Sequence, residues 1–433
     1  MPSEARAVAL SVLRRTFEQA AFTDRAFQAE ATGLAGRDRA LAMRLAYGAV
    51  QRRATLDYLI EHCAQRSAGK LEPLVLAALR LGAYELTFTA DAPHAAVNDA
   101  VALARGSRGQ GLVNAVLRRI ARESGDLLAA LDESTPAGAA TLHSVPQWIV
   151  EEWWQMLGPE STSALLHRVN EPAESALRAN TLVTDPQQLA QALARRTAIP
   201  GDPPEAVVLL EPFDAHGSAL WRAGHFMPQS RAAMLVARAL DPQPGERVLD
   251  MCAAPGGKTT HLAALMGGEG EILALERHAG RARSLAQTAE RMHALNVAVA
   301  TADAGQARGT FDRILLDPPC SGLGTLQARP DLRWRIARQG VQALAAEQAR
   351  LLSAAALALA PGGTLTYSTC TLSSTENEDQ IQTFLEEHPE LEQIDLQSRF
   401  PAWRDPRGGR ALLALPHIQG SDGFYIATLR RAG

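Results

Sequence analysis

Apolar residues recur at helical spacing through the first 125 positions. Ala7, Val8, Leu10, Leu13 and Phe17 share one face, and the same period returns over 40–51, 55–63, 74–87, 95–104 and 112–121. Pro73 and Pro93 stand where two of these runs begin, a position at which a missing N–H costs nothing. Residues 1–130 are therefore predicted to form an all-α bundle. The texture then changes, with ten prolines in residues 126–235 against three in the first 125. Runs 175–182 and 206–210 read as strands around a helix over 186–194, so 131–235 is predicted to be a small α+β linker domain. Trp148, Trp153 and Trp154 fall on a short helix begun at Pro146 and read first as packing residues. From Gly245 onward β-type runs (247–251, 271–275, 297–301, 311–316, 363–371) alternate with helical ones, and 423–429 reads as a closing strand. This predicts an α/β domain of Rossmann-like type over 236–433.

The chemistry-bearing residues collect at the ends of those strands, where open α/β sheets bind ligands. Asp317-Pro318-Pro319-Cys320-Ser321-Gly322 follows one apolar run, and the prolines force a rigid, extended exit. An aromatic after the two prolines would suit stacking on a base and methylation of an exocyclic amine. A cysteine there offers a nucleophile or base instead. Thr364–Thr369 delivers a second thiol, Cys370, and Cys252 follows the first strand of the sheet. Cys63, in a helical stretch, reads as a small buried hydrophobe, a reading that stays open for Cys252 beside its place in the loop below. The loop Cys252-Ala253-Ala254-Pro255-Gly256-Gly257-Lys258 opens a helix, and its glycines allow close approach of a ligand to the backbone. It is not a phosphate loop of the Walker type, because that motif needs glycine at 252. Glu276 ends the next strand, as the ribose-binding acid of nucleotide-binding folds does, and Asp303 follows the third.

Composition adds three restrictions. The four cysteines include no C-x-x-C pair, so no zinc signature appears and the expectation is a protein without bound metal in a reducing cytoplasm. No long apolar span or leader pattern is found, which argues against a membrane partner. The net charge of −4 divides unevenly, as residues 1–125 hold 17 Arg and Lys against 12 Asp and Glu, leaving −9 on the rest. A basic front end suggests a polyanionic partner. Of 43 basic residues only Lys70 and Lys258 are lysines, and a lysine kept at 258 suggests need of a compact ammonium there.

These motifs carry a resemblance. Arg37-Asp38-Arg39, Ala46-Tyr47-Gly48, His94–Val101 and Gly111–Arg119 resemble the RNA-binding domain of the NusB type, with Arg105, Arg108, Arg118, Arg119 and Arg122 as a candidate phosphate stripe. Arg178-Ala179-Asn180, Cys252–Lys258, Asp317–Gly322, Arg329–Arg335 and Ser368–Thr371 resemble the S-adenosylmethionine-dependent RNA 5-methylcytosine methyltransferases. Gln229-Ser230 departs from the commoner Gln-Asp, so Ser230 receives no role. With the NusB-like front end, the whole chain resembles the bacterial ribosomal RNA small-subunit methyltransferase B family. The resemblance implies S-adenosyl-L-methionine as cofactor, held by Cys252 to Lys258, Glu276, Asp303 and Asp317. It implies Cys370 as the nucleophile on carbon 6, Cys320 as the group that helps the adduct break down, and Asp317 as the acid at ring nitrogen 3, kept protonated by desolvation. The reverse assignment of the thiols is the natural competitor, since in DNA cytosine methyltransferases the Pro-Cys thiol attacks. The expected partner is RNA, 16S ribosomal RNA first and transfer RNA second, presenting an unstacked cytidine to a monomeric enzyme. A non-catalytic RNA-binding protein would explain residues 1–125 but not the thiols. Arg329–Arg335 is expected as a basic loop beside the cleft, and Ser373 with Glu376 as a capping box opening the next helix.

Overall fold

The computed structural model describes residues 3–90 and 92–433. The chain divides into two compact units, Met1–Glu171 with Leu326–Arg335, and Pro172–Thr325 with Ile336–Gly433.

The first unit is helical. Helices Glu4–Glu18, Thr23–Glu30, Gly36–Gln51, Arg53–Ala64, Pro73–Phe88, Pro93–Leu103 and Gln110–Ala129 enclose an aliphatic core that includes Leu13, Leu45, Leu59, Leu79 and Leu117. Pro73 and Pro93 occupy the first turns of their helices as expected. Three further helices follow, Pro136–His143, Gln147–Leu157 and Pro159–Arg168, and Trp153 of the second is fully buried.

The segment 326–335 corrects the expectation of a basic loop beside a cleft. It packs with the helical unit, and its arginines serve carbonyls left open at helix ends. Arg333 is completely buried and donates to Ser144 O at 3.0 Å, Asn170 Oδ1 at 3.1 Å and Val169 O at 3.3 Å. Trp334 Nε1 donates to Val50 O at 2.7 Å, and Arg335 to Ala20 O at 3.0 Å.

The second unit contains two sheets. In the smaller, antiparallel one the order is β2 (Thr197–Ala198), β3 (Ala206–Leu209), β1 (Ala176–Ala179), β4 (Phe226–Pro228), with helix Pro186–Leu193 packed on β1 and β3. The larger sheet runs β7 (Val297–Thr301), β6 (Glu271–Glu276), β5 (Arg247–Asp250), β8 (Phe311–Leu316), β9 (Leu359–Thr369), β12 (Phe424–Arg431), β10 (Leu391–Gln393), with β11 (Leu412–Ala414) also on β12. Pairs from β7 to β9 are parallel, and the β12 pairings are antiparallel. This is the α/β, Rossmann-like arrangement predicted. The chain builds outward from β5 to β7, then returns to β8 on the other side, so β5 and β8 flank the switch point where such sheets bind ligands.

Two buried polar side chains of β1 and its exit tie the sheets together. Arg178 donates to Gly257 O at 2.5 Å, Gln229 Oε1 at 3.0 Å and Thr260 Oγ1 at 2.9 Å. Asn180 reaches Gly224 O and Met292 O.

Candidate active site

Four strands deliver the site. β5 ends in Asp250, which is buried and accepts a bond from Thr259 Oγ1 at 2.7 Å. Burial pushes its carboxyl up to about 7, against the pull of the Thr259 bond. The loop 252–256 then turns into helix Gly257–Leu265. Gly256 holds φ at 103°, a backbone conformation that favours glycine, and packs against Leu285 and Thr288. The first N–H groups of a helix lack intrahelical partners, and this helix begins directly after the loop that leaves β5. Cys252 is half-buried, and desolvation with the charges of Asp250, Asp317 and Glu276 raises its thiol far above the ordinary range.

Lys258 Nζ lies 2.8 Å from Asp317 Oδ2 and 5.1 Å from the centre of the Phe424 ring. Burial disfavours its charge, but Asp317, through charge and hydrogen bond, with Cys370 and Asp250 nearby, raises its pKa on balance. The other oxygen of Asp317 accepts from Ser368 Oγ at 2.8 Å. Both oxygens of Asp317 are thus engaged, one by Lys258 and the other by Ser368.

Cys320 and Cys370 meet with sulfurs 3.4 Å apart, well beyond the roughly 2.05 Å of a disulfide. Their loops are bound to each other. Gly324 N donates to Cys370 O at 2.9 Å, and Ser321 Oγ and Thr371 Oγ1 are 2.6 Å apart. Glu376, fully buried, accepts from Ser321 N at 2.9 Å, from Ser321 Oγ and from Gln348 Nε2 at 3.0 Å. Gln348 also donates to Pro319 O at 2.9 Å, so Cys320 is held on both sides. Tyr367 OH closes the network on Glu376 O at 2.7 Å. The hydrogen bond with Cys370, burial, and the charges of Cys370, Glu376 and Asp317 all raise the Cys320 thiol well above its ordinary value.

The expected capping box does not form. Ser373 Oγ has no hydrogen-bond partner, and the carboxylate of Glu376 is committed to the Cys320 loop. Glu276 is buried at the end of β6, where Oε1 accepts from His278 N at 2.9 Å and Oε2 lies 3.3 Å from Arg281. Asp303 joins a separate set of bonds, with Gly305 N and Arg350, both at 2.9 Å.

Residues 237–430 match the family described as 16S rRNA methyltransferase RsmB/F. Residues 3–122 match the NusB family, and 145–216 the ferredoxin-like domain of RsmF/B-like methyltransferases. Over 99% of both chains, the protein is 34% identical to the probable ribosomal RNA small subunit methyltransferase B of Bacillus subtilis (strain 168). The chain belongs to the RsmB/F family of rRNA methyltransferases. A second relative, the probable ribosomal RNA small subunit methyltransferase B of Synechocystis sp., is 37% identical over 99% of each chain. A solved methyltransferase homolog protein from Pyrococcus horikoshii covers 68% of this chain and 98% of its own, at 30% identity and a TM-score of 0.60.

Within this RsmB/F-family fold, Asp250, Ser368, Gln348 and Glu376 were not singled out from the sequence as site residues. Asp250 carried a signal, an acid at the end of the first strand of an α/β domain. Gln348 and Glu376 carried none, because their partners lie 29 and 55 residues away.

Proposed function

We propose that this chain transfers the methyl group of S-adenosylmethionine to carbon 5 of a cytidine in RNA, with 16S ribosomal RNA as target, through a covalent bond from Cys370 to carbon 6. The observation that carries this reading is the pair of thiols 3.4 Å apart at the exits of neighbouring strands, beside the Lys258–Asp317 ion pair. The helix N-terminus opening at Gly257 and the acid Glu276 at the end of β6 fit a nucleoside amino acid such as S-adenosylmethionine. When bound, that cofactor supplies an electrophilic methyl group on sulfur.

The residues divide the remaining work. Carbon 5 of cytosine is a weak nucleophile until a thiolate adds to carbon 6. Cys370 is the attacker in this reading, and Lys258, whose pKa Cys370 helps to raise, is the cation that bears on it. Cys320 stays a neutral thiol under the negative charges around it and can donate its S–H to the Cys370 thiolate. Charge driven onto ring nitrogen 3 is met by Asp317, with the ammonium of Lys258 as its proton source. After methylation water takes the carbon 5 proton, its electron pair rebuilds the ring double bond, the Cys370–carbon 6 bond breaks with its pair returning to sulfur, and nitrogen 3 gives its proton back to Asp317. Cys320 adjoins that bond and serves this last step. The basic helical front supports a polyanionic substrate, and the NusB and rRNA methyltransferase relatives favour ribosomal RNA.

The test is nucleoside mass spectrometry on 16S rRNA from undermethylated ribosomes incubated with enzyme and S-adenosylmethionine. 5-Methylcytidine is expected, absent with Cys370→Ala. A methyl group on any other atom or base overturns the reading.

A further inference from the structure

Away from the thiols, three side chains of metal-ligating type converge in the helical unit. Glu133 lies in the turn before helix Pro136–His143, His143 ends that helix, and His167 lies on helix Pro159–Arg168. His143 Nε2 is 2.8 Å and His167 Nε2 3.1 Å from one and the same atom, Glu133 Oε1. Ser163, one turn before His167, donates its hydroxyl to that oxygen at 2.8 Å. Glu133, His143 and His167 each offer a ligand atom, all within 4.8 Å of one another. The two imidazoles touch edge to face, with centroids 4.4 Å apart and planes at 73°. His143 is buried, while His167 opens to solvent.

We propose that Glu133, His143 and His167 form a binding site for a divalent transition metal, zinc above all, with the remaining position left to water. Two imidazole nitrogens and one carboxylate oxygen are a donor set that zinc accepts, and it disfavours magnesium or calcium, which want oxygen throughout. Tetrahedral bonds of about 2.0–2.1 Å set ligand atoms about 3.3 Å apart. Loading therefore needs the two nitrogen–oxygen separations to widen by a few tenths of an ångström, and the two imidazole nitrogens, within 4.8 Å of each other, to sit about 3.3 Å apart. Protons alone serve the cluster less well. Both rings must then point N–H at an oxygen that Ser163 already uses, and charging both would set like charges in contact. A dication accepts both Nε2 lone pairs with the rings neutral and offsets the charge of Glu133. The site would clip the turn at 133 and the helices carrying His143 and His167 into one piece. It shares no residue with the methyl-transfer site and does not depend on that reading.

The full-length protein carrying Cys320→Ser and Cys370→Ser, so that the adjacent thiols cannot chelate, is titrated with zinc by calorimetry. It is also titrated with cobalt(II) by visible absorption. One equivalent is expected, with the intense bands of tetrahedral cobalt and a zinc-dependent rise in melting temperature. His167→Ala alters an exposed side chain and should leave the fold intact. It should weaken uptake about ten-fold or more and abolish the thermal shift, and Glu133→Gln should weaken uptake as well. No stoichiometric uptake, or uptake unchanged by His167→Ala, overturns the proposal.

Discussion

Cys320 and Cys370 touch but face different charges, with Glu376 and Asp317 bearing on the first and Lys258 on the second. The two alanine variants should therefore fail at opposite ends of the cycle. Cys370→Ala cannot form the adduct and should separate from RNA in denaturing electrophoresis. Cys320→Ala should accumulate a denaturation-resistant protein–RNA species that disappears when Cys370 is also removed. The opposite pattern would reverse the roles while keeping the reaction class. Asp250 makes a second prediction at this scale. Its carboxyl is raised by burial to about 7 in the folded protein, against 3.8 ordinarily. A raised folded value means its stabilising contribution is complete below pH about 4 and is lost as pH rises through about 7. Urea unfolding at pH 5 and pH 8 should show the parent losing on the order of a few kcal/mol relative to Asp250→Asn. Equal losses in both proteins would show that Asp250 is not the titrating group.

At the scale of elements, the strand exits were legible because each follows a β-branched or apolar run, and those of β5, β6 and β8 stop at an acid. Phe311–Leu316 is the same strand in sequence and structure, and β9 carries Cys370 directly at its end. What holds those exits was not legible. Ser373-x-x-Glu376 has the spacing of a capping box, and local pattern favours that reading. Burial decides otherwise, because the polar groups of the Cys320 loop must find partners once water is excluded, and Glu376 is the acceptor in reach. The buried setting of Arg333 was missed for the same reason, since tertiary contacts and not local period determine it. Glu376→Ala removes the acceptor of Ser321 N, Ser321 Oγ and Gln348 Nε2. Each stranded donor costs about 1–3 kcal/mol, so stability should fall by several kcal/mol. Methyl transfer should fall further than in Glu376→Gln, which keeps an acceptor oxygen. Equal activity in the two variants would mean that Glu376 does not hold the thiol loops.

For the whole molecule, charge divides as the chain does. The first 125 residues carry a surplus of basic groups, and the remainder is acidic. No helix among the described residues is long and apolar enough to cross a membrane. Arg105, Arg108, Arg118 and Arg122 are exposed, whereas Arg119 is half-buried and paired with Glu123 at 2.8 Å. Four exposed guanidiniums, two in the turn 104–109 and two on helix Gln110–Ala129, suit contact with phosphates, which position RNA without reading it. Each phosphate neutralised adds roughly 0.7–0.9 to the slope of log affinity against log salt. Changing all four arginines to glutamine should therefore flatten that slope by up to about 3 and weaken RNA binding at low salt, with cofactor affinity unchanged. Arg119→Gln alone should alter the slope little, because its charge is already engaged by Glu123. Filter binding across a salt series measures both. A slope unmoved by the fourfold change, with RNA still bound, would place the phosphate contacts on other residues and leave these arginines as a solvated helical face.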